Sequence, residues 1–189
     1  MDTFIEYILQ FGNLNQQQID LIESKAIEKK LRKDEFYWEA GKAVKQIGFL
    51  TDGILRVYYY NNKGDEITRF FVDDKHLILS GNTDDKLFIP SEYLQAITDC
   101  KMVVFLKQDW LDLSETIIGW DNIIQKISAK HHTEKLKKRS DLVSQVATER
   151  YLDFMEKFPT LVNRIPLAYI ASYLGITASS LSRIRKNIR

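Results

Sequence analysis

The sequence predicts an α+β protein: an antiparallel β-roll of the jelly-roll type, then a long helix, then a C-terminal, winged-helix-like helix-turn-helix. Three patterns support this fold class. Between residues 29 and 107, short segments rich in β-branched and aromatic residues alternate with Gly, Asn and Asp turns, as they do in sandwiches and barrels. An apolar stripe at helical spacing follows from Gly119. Two short amphipathic segments then flank Gly175 near the end of the sequence.

The composition is that of a globular chain. Of its 189 residues, 44% are hydrophobic, which is enough for one sizeable core or two small domains. No apolar run is long enough to cross a membrane, and the first residues lack the basic region of a signal peptide. The single cysteine, Cys100, excludes an intramolecular disulfide framework and a four-cysteine iron–sulfur cluster. We therefore expect a cytoplasmic protein.

The first half of the chain predicts two helices and then a series of strands. Residues 2–11 and 15–28 carry apolar side chains at helical spacing, with Asn13 or Asn15 as the break between the two helices. The stretch 61–65, Asn-Asn-Lys-Gly-Asp, predicts a tight hairpin turn. Residues 76–91 are interpreted as an irregular polar connection. The predicted strands are 31–38, 46–50, 54–60, 66–72, 92–98 and 102–107.

A long helix is predicted to begin near Gly119, after a short helix over 109–114. Its apolar positions alternate by four and three residues, which is the spacing of a coiled-coil seam. A helix that packs against its own β domain would show the same stripe. Pairing of two such helices about a two-fold axis is the bolder interpretation, and it gives a predicted dimer interface. That predicted interface consists of Trp120, Ile124, Ile127 and His131. A further amphipathic helix over 146–158 is expected to stop at Pro159.

The last residues, 166–189, predict two helices joined by a tight turn. Pro166 suits the first turn of a helix, where its missing N–H has no partner to lose. Gly175 suits a helix end at which the chain turns sharply, and Thr177 is a good N-cap for the second helix. Two short helices joined in this way are a helix-turn-helix. The apolar residues expected to face inward from the second helix are Leu181, Ile184 and Ile188.

The charge distribution favours DNA as the partner of this end of the chain. Residues 125–189 contain 13 Lys and Arg against 5 Asp and Glu, whereas residues 1–124 contain 14 against 21. From Arg164 onward the sequence has no acidic residue, which is unusual for an ordinary pair of core helices with a solvated face. The second helix of a helix-turn-helix enters the major groove of DNA. DNA sites with two half-sites in turn favour a dimer.

Several motifs carry a resemblance to a known family. They are Thr148–Tyr151 with Phe158-Pro159, Ile170–Thr177 with Leu181–Lys186, and the turns Asp52–Arg56 and Lys63–Glu66. With the order of the parts, they resemble the Crp/Fnr transcriptional regulators over nearly the whole chain, above all the short type common in the Bacteroidetes group. The resemblance implies a cyclic-nucleotide-binding-like β-roll in 1–115, a dimerisation helix in 116–143 and a DNA-binding domain in 144–189. It also implies a homodimer that binds a two-fold site on double-stranded DNA and recruits or blocks RNA polymerase.

The resemblance assigns base reading to Arg183, on the outward face of the second helix. A bidentate contact from Arg to guanine is worth roughly 1–3 kcal/mol, and a phosphate contact is the alternative role. Ala178 and Ser179 occupy the family's other base-contact positions with short side chains, so the operator should differ from those of the best-known members. The basic residues near the end of the chain are expected to bind phosphates, which hold register without reading sequence. The full predicted DNA-binding set is Thr177, Ala178, Ser179, Ser180, Ser182, Arg183, Arg185, Lys186 and Arg189.

The cyclic-nucleotide site of the family uses a Gly-Glu pair and an Arg-Ser/Thr pair. The resemblance places Leu79-Ser80 at the first pair and Pro90-Ser91 at the second. The carboxylate that binds the ribose and the guanidinium that binds the phosphate are therefore both missing. A buried phosphate without a cationic partner is strongly disfavoured. We expect no cofactor and no cAMP binding through the family's contacts, so the roll would hold another small-molecule effector or none.

Motifs of catalysis and of metal binding are missing from the sequence, which has no nucleophile elbow, phosphate loop, HExxH or CxxC. The neighbours His131 and His132 point about 100° apart on a helix and cannot chelate one ion from one chain. We therefore expect neither an enzyme nor a metal protein. Two alternatives stay open. One is a ligand-binding or protein-interaction module with a vestigial helix-turn-helix, because the sequence has no room for wing strands after the second helix. The other is a cupin-type β-barrel enzyme, against which the scarcity of histidines counts.

Overall fold

The computed structural model describes residues 1–79, 88–159 and 161–188, with the backbone alone at 135 and 137–144. The helices are α1 (Asp2–Ile8), α2 (Gln16–Lys25), α3 (Lys107–Thr116), α4 (Trp120–Ser144), α5 (Ala147–Lys157), α6 (Leu167–Tyr173) and α7 (Ala178–Ile188). The strands are β1 (Ile27–Leu31), β2 (Phe36–Trp38), β3 (Gln46–Asp52), β4 (Leu55–Tyr60), β5 (Glu66–Val72), β6 (His76–Ile78), β7 (Tyr93–Ala96) and β8 (Cys100–Leu106).

The strands of the described residues form two antiparallel sheets of four. Their orders are β1-β8-β3-β6 and β2-β7-β4-β5. Successive side chains along a strand point to opposite faces, so each sheet turns an apolar face toward the other. Leu50 and Val104 of the first sheet share one buried cluster with Val57 and Leu94 of the second. The predicted antiparallel β-roll is confirmed.

The predicted hairpin over 61–65 is confirmed between β4 and β5. The backbone N–H of Asn61 donates to the carbonyl of Asp65 at 3.0 Å. The side-chain oxygen of Asn61 accepts from the backbone N–H groups of Lys63 and Asp65. Gly64 has a φ of +83°, which costs glycine little because it has no Cβ. The hairpin fixes the register of β5, the edge strand that meets the C-terminal helices.

Three secondary-structure predictions were wrong. The predicted strand 31–38 is not continuous, because Leu31 ends β1, residues 32–35 form a turn and residues 36–38 form β2. Ile27 begins β1 and does not continue the second helix, because residues 27–31 pair with β8 along their whole length. Their sequence, Ile-Glu-Lys-Lys-Leu, has little intrinsic strand preference, so the pairing partner decides the conformation. In the stretch interpreted as irregular, residues 76–78 form β6 and pair with β3.

The apolar stripe of α4 packs inside the chain. Trp120, Ile124 and Ile127 are buried in one cluster with residues of α1, α3, β3 and β8. His131 is also buried, and its Nε2 lies 2.9 Å from the hydroxyl of Tyr7. Burial, and then the charge of Glu134, raises the pKa of Tyr7 to about 12, so the hydroxyl keeps its proton at neutral pH.

The dimer interface predicted from the stripe is therefore corrected. Trp120, Ile124, Ile127 and His131 face their own β-roll and N-terminal helices, as in the alternative interpretation of the spacing, and are not open to a second copy. The opposite face of α4 is exposed and repeats at intervals of three and four residues. It consists of Asn122, Gln125, Ala129, His132 and Leu136. We group with this outer stripe Ile118, which lies in the turn just before the helix and is 94% exposed; Leu136 is 57% exposed.

Candidate nucleic-acid interface

The predicted helix-turn-helix is confirmed in α6 and α7. After α6, the N–H of Ile176 donates to the carbonyl of Ala171 at 3.0 Å, and the N–H of Gly175 donates to that of Ser172 at 3.2 Å. This pair of bonds is a Schellman motif, with Gly175 in the left-handed position that such a motif requires. The φ of Gly175 is +67°. The turn between the helices is thus closed by the backbone itself.

A cluster of hydroxyl groups caps the start of α7. The Oγ1 of Thr177 accepts from the backbone N–H of Ser180 at 3.1 Å, as expected of an N-cap. The same hydroxyl lies 3.0 Å from the Oγ of Ser179 and donates to the Oγ of Ser180 at 2.9 Å. The three hydroxyls are therefore engaged with one another at the helix end where backbone N–H groups attract anions.

The predicted DNA-binding residues of α7 form an exposed group and a half-buried group. Arg183 and Lys186 are exposed, together with Thr177, Ala178 and Ser179 at the start of the helix. Ser180, Ser182 and Arg185 are half-buried at the flanks. Arg189 lies outside the described residues.

The inward face of α7 is shorter than expected. Leu181 is fully buried and Ile184 is packed against the same cluster, but Ile188 is 39% exposed. Within the described part of the chain, Arg183 and Lys186 make no hydrogen bond or ion pair, so their side chains are free to meet a ligand.

The helices α5, α6 and α7 share one core, and we call them together the head. Tyr151, Phe154 and Phe158 of α5 lie in one buried cluster with Leu174 and Leu181. This core is continuous with the β-roll, because Ile54, Phe71 and Ile97 belong to the same cluster. The head is therefore packed on the roll.

Polar contacts between head and roll were not foreseen from the sequence. The guanidinium of Arg56, in β4, lies 3.9 Å from the centre of the Tyr169 ring in α6. Ser172 of α6 hydrogen-bonds to the backbone of β5 at Thr68 and at Glu66. These residues are more than a hundred positions apart, and no local pattern in the sequence links them.

The positions of the predicted degenerate nucleotide pocket differ in their exposure to solvent. Leu79 is half-buried, Pro90 is buried and Ser91 is exposed, while Ser80 lies outside the described residues. The carbonyl of Pro90 accepts from the N–H of Gly41 at 2.8 Å. The buried apolar cluster between the sheets includes Leu50, Val57 and Cys100. Its cysteine, Cys100, has a pKa raised mainly by burial, which keeps the thiol protonated and unreactive.

Metal binding and membrane crossing make different demands on the described residues. No group of three or more His, Cys, Asp and Glu side chains is arranged to hold a metal ion. No helix there combines the length and apolar character needed to cross a membrane.

Several solved structures share this architecture. FixK2 from Bradyrhizobium japonicum matches with a TM-score of 0.74 at 16% identity, covering 86% of this chain and 84% of that one. The c-di-GMP-responsive global regulator CLP from Xanthomonas campestris matches with a TM-score of 0.73 at 12% identity, covering 92% and 91%. A protein from Eubacterium rectale assigned to the crp/fnr family of transcriptional regulators matches with a TM-score of 0.71 at 16% identity, covering 93% and 83%. No protein-family model matches the sequence, and no curated protein is significantly similar to it.

These likenesses establish the fold. A β-roll joined through a long helix to a helix-turn-helix head defines the class of architecture. Within that class, the chain has the fold of the Crp/Fnr transcription regulators, over most of its length. The resemblance inferred from the sequence motifs is confirmed at this level.

Proposed function

We propose that the protein is a sequence-specific, DNA-binding transcription regulator that acts as a homodimer in the cytoplasm and recruits or blocks RNA polymerase. The observation that carries the proposal is the exposed face of α7. It presents Arg183 and Lys186 without partners among the described residues, in a segment that has no acidic residue from Arg164 onward. The shared fold of known regulators supports the same conclusion.

The proposed mechanism places α7 in the major groove. Arg183 projects from the middle of the exposed face, where its guanidinium can form two hydrogen bonds with a guanine. Lys186 lies nearly one turn further along and is suited to a phosphate. Because the Ser179 and Ser180 hydroxyls already bond with Thr177, we assign this end of α7 to holding register on the backbone more than to reading bases.

The proposed dimer uses the outer stripe of α4. Ile118, Ala129 and Leu136 provide its apolar positions, and Asn122 and Gln125 lie between them at coiled-coil spacing. Polar residues at such positions specify register and pairing at a cost in stability. We therefore expect a parallel pair of moderate stability in which two heads face two half-sites.

Selection of bound fragments from a random DNA pool, followed by sequencing and gel-shift assays at moderate salt, tests the proposed function. We expect enrichment of a two-fold symmetric sequence with half-sites about one helical turn apart. The matched control is the same chain with Arg183→Ala and Lys186→Ala together, which should enrich nothing. Failure of the wild-type protein to enrich any sequence would favour a ligand-binding or protein-interaction module with a vestigial helix-turn-helix.

The protein is expected not to bind cAMP through the contacts used by the family. Leu79 and Ser80 supply no carboxylate for a ribose, and Pro90 and Ser91 supply no cation for a phosphate. Isothermal calorimetry with cAMP should show no binding at micromolar concentrations, and a saturable signal in that range would contradict the expectation. A parallel titration with c-di-GMP is informative, because the structurally similar CLP responds to that nucleotide.

A further inference from the structure

The head is attached to the β-roll along an open sheet edge. β5 is the edge strand of its sheet, and an edge strand has backbone groups without a strand partner. The Oγ of Ser172 accepts from the N–H of Thr68 at 2.9 Å and donates to the carbonyl of Glu66 at 2.9 Å. One serine of α6 thus substitutes for two bonds of a neighbouring strand.

A buried arginine joins the same two parts. Arg56 is only 1% exposed, and its guanidinium lies over the ring of Tyr58, at 4.4 Å, and over that of Tyr169, at 3.9 Å. Its Nε donates to the Oγ1 of Thr68 at 2.8 Å, and its Nη1 donates to the carboxylate of Glu66 at 2.7 Å. An arginine stays charged in proteins, so its burial depends on this complete set of partners, one of which comes from the head.

The covalent connection alone would leave the head free to turn. Only Gln145 and Val146 separate the end of α4 from the start of α5, and both have extended backbone. Rotation about this joint would move α7 relative to α4. The contacts of Arg56 and Ser172 hold α6, and α7 packs on α6.

We propose that the Arg56–Tyr169 stack and the Ser172 hydrogen bonds form an interdomain latch, and that Arg56 is a positioning residue for DNA recognition. The apolar core that head and roll share is non-directional. The latch adds directional contacts to it and so fixes the orientation of each head, and a dimer then accepts half-sites at one separation. This inference rests on the proposed DNA-binding function. Base reading within a half-site belongs to α7 alone and does not depend on the latch.

The test compares two kinds of discrimination in the full-length protein. Gel-shift affinities are measured for the selected operator, for operators with one or two base pairs inserted between the half-sites, and for operators with one changed base in each half-site. We expect the wild type to bind the altered spacing about tenfold or more weakly. Arg56→Met should reduce this spacing penalty to a few-fold and leave the penalty for a changed base intact.

Three further variants separate a positioning role from a general loss of folding. Tyr169→Leu removes the ring and should behave as Arg56→Met does, whereas Tyr169→Phe keeps the ring and should behave as the wild type. Arg69→Met removes an exposed arginine of β5 that pairs with Glu92, and it should change neither ratio. A variant that merely lowers the folded fraction reduces binding to all DNA alike, so both ratios would stay at their wild-type values.

Hydrogen exchange without DNA tests the latch independently of the proposed DNA-binding function. The Thr68 amide, bonded to Ser172, should be protected from hydrogen exchange in the wild type and exchange faster in Ser172→Ala and Arg56→Met. Amides of β3 and β8 should stay protected in all variants. If the wild type shows this pattern but binds no specific DNA, the proposed function fails and the latch stands. An unchanged spacing penalty in folded Arg56→Met and Tyr169→Leu would overturn the positioning role.

Discussion

Replacing Ile118 and Leu136 together by aspartate is expected to dissociate the proposed dimer and to weaken binding to a two-half-site operator by about 10²–10⁴-fold. The expected loss of affinity equals the gain that two linked heads have over a single head on the same DNA. The two side chains are the most exposed apolar residues of the outer stripe, and their charged replacements would face the same charges on the partner helix. Sedimentation velocity measures the dissociation, and gel-shift titration measures the affinity.

Matched control substitutions are available on the same chain. Leu9 and Leu106 are also exposed apolar residues, at 40% and 44%, and neither belongs to the outer stripe. Aspartate at both of these positions should leave the dimer and the operator affinity unchanged. A persistent dimer in the Ile118→Asp, Leu136→Asp protein would show that another surface joins the two copies.

Helical spacing on α4 predicts that the helix has one apolar face, but it does not predict what that face packs against. The stripe of Trp120, Ile124 and Ile127 correctly gave a helix with one apolar face. Apolar residues have the same helical spacing whether their face packs against the same chain or against a second copy. The spacing alone therefore could not distinguish a core helix from a dimer interface. The structure settles the question because α1 and α4 pack together on the roll and bury the stripe. This contact joins parts of the chain more than a hundred residues apart.

The head was predictable in its local geometry because its signals are local. Gly175 and Thr177 act through hydrogen bonds within five residues, and such bonds leave a readable pattern of turn and cap residues. The latch was not predictable, since Arg56 and Tyr169 gain their roles only when the folded roll meets the head. The strand β1 was missed for a related reason: its conformation comes from pairing with β8 and not from its own composition.

Arg183→Ala is expected to flatten the sequence specificity of the protein. The loss of a bidentate contact with guanine costs roughly 1–3 kcal/mol at each half-site, and a homodimer carries the substitution in both heads. Affinity for the selected operator should therefore fall steeply, and affinity for random DNA should fall much less. Gel-shift titrations with the two kinds of DNA over a range of salt concentrations measure both quantities.

Lys186→Ala provides the contrast that makes the Arg183 result interpretable. A phosphate contact carries no sequence information, so its loss should weaken binding to both kinds of DNA alike and reduce the slope of log affinity against log salt by about one unit per head. Lys33→Ala removes an exposed lysine of the roll and should alter neither specificity nor slope. If Arg183→Ala lowered affinity equally for operator and random DNA, Arg183 would be a phosphate contact as well. Sequence reading would then have to come from elsewhere on α7, where Ser182 and Asn187 are the uncharged polar side chains beyond the capped first turn.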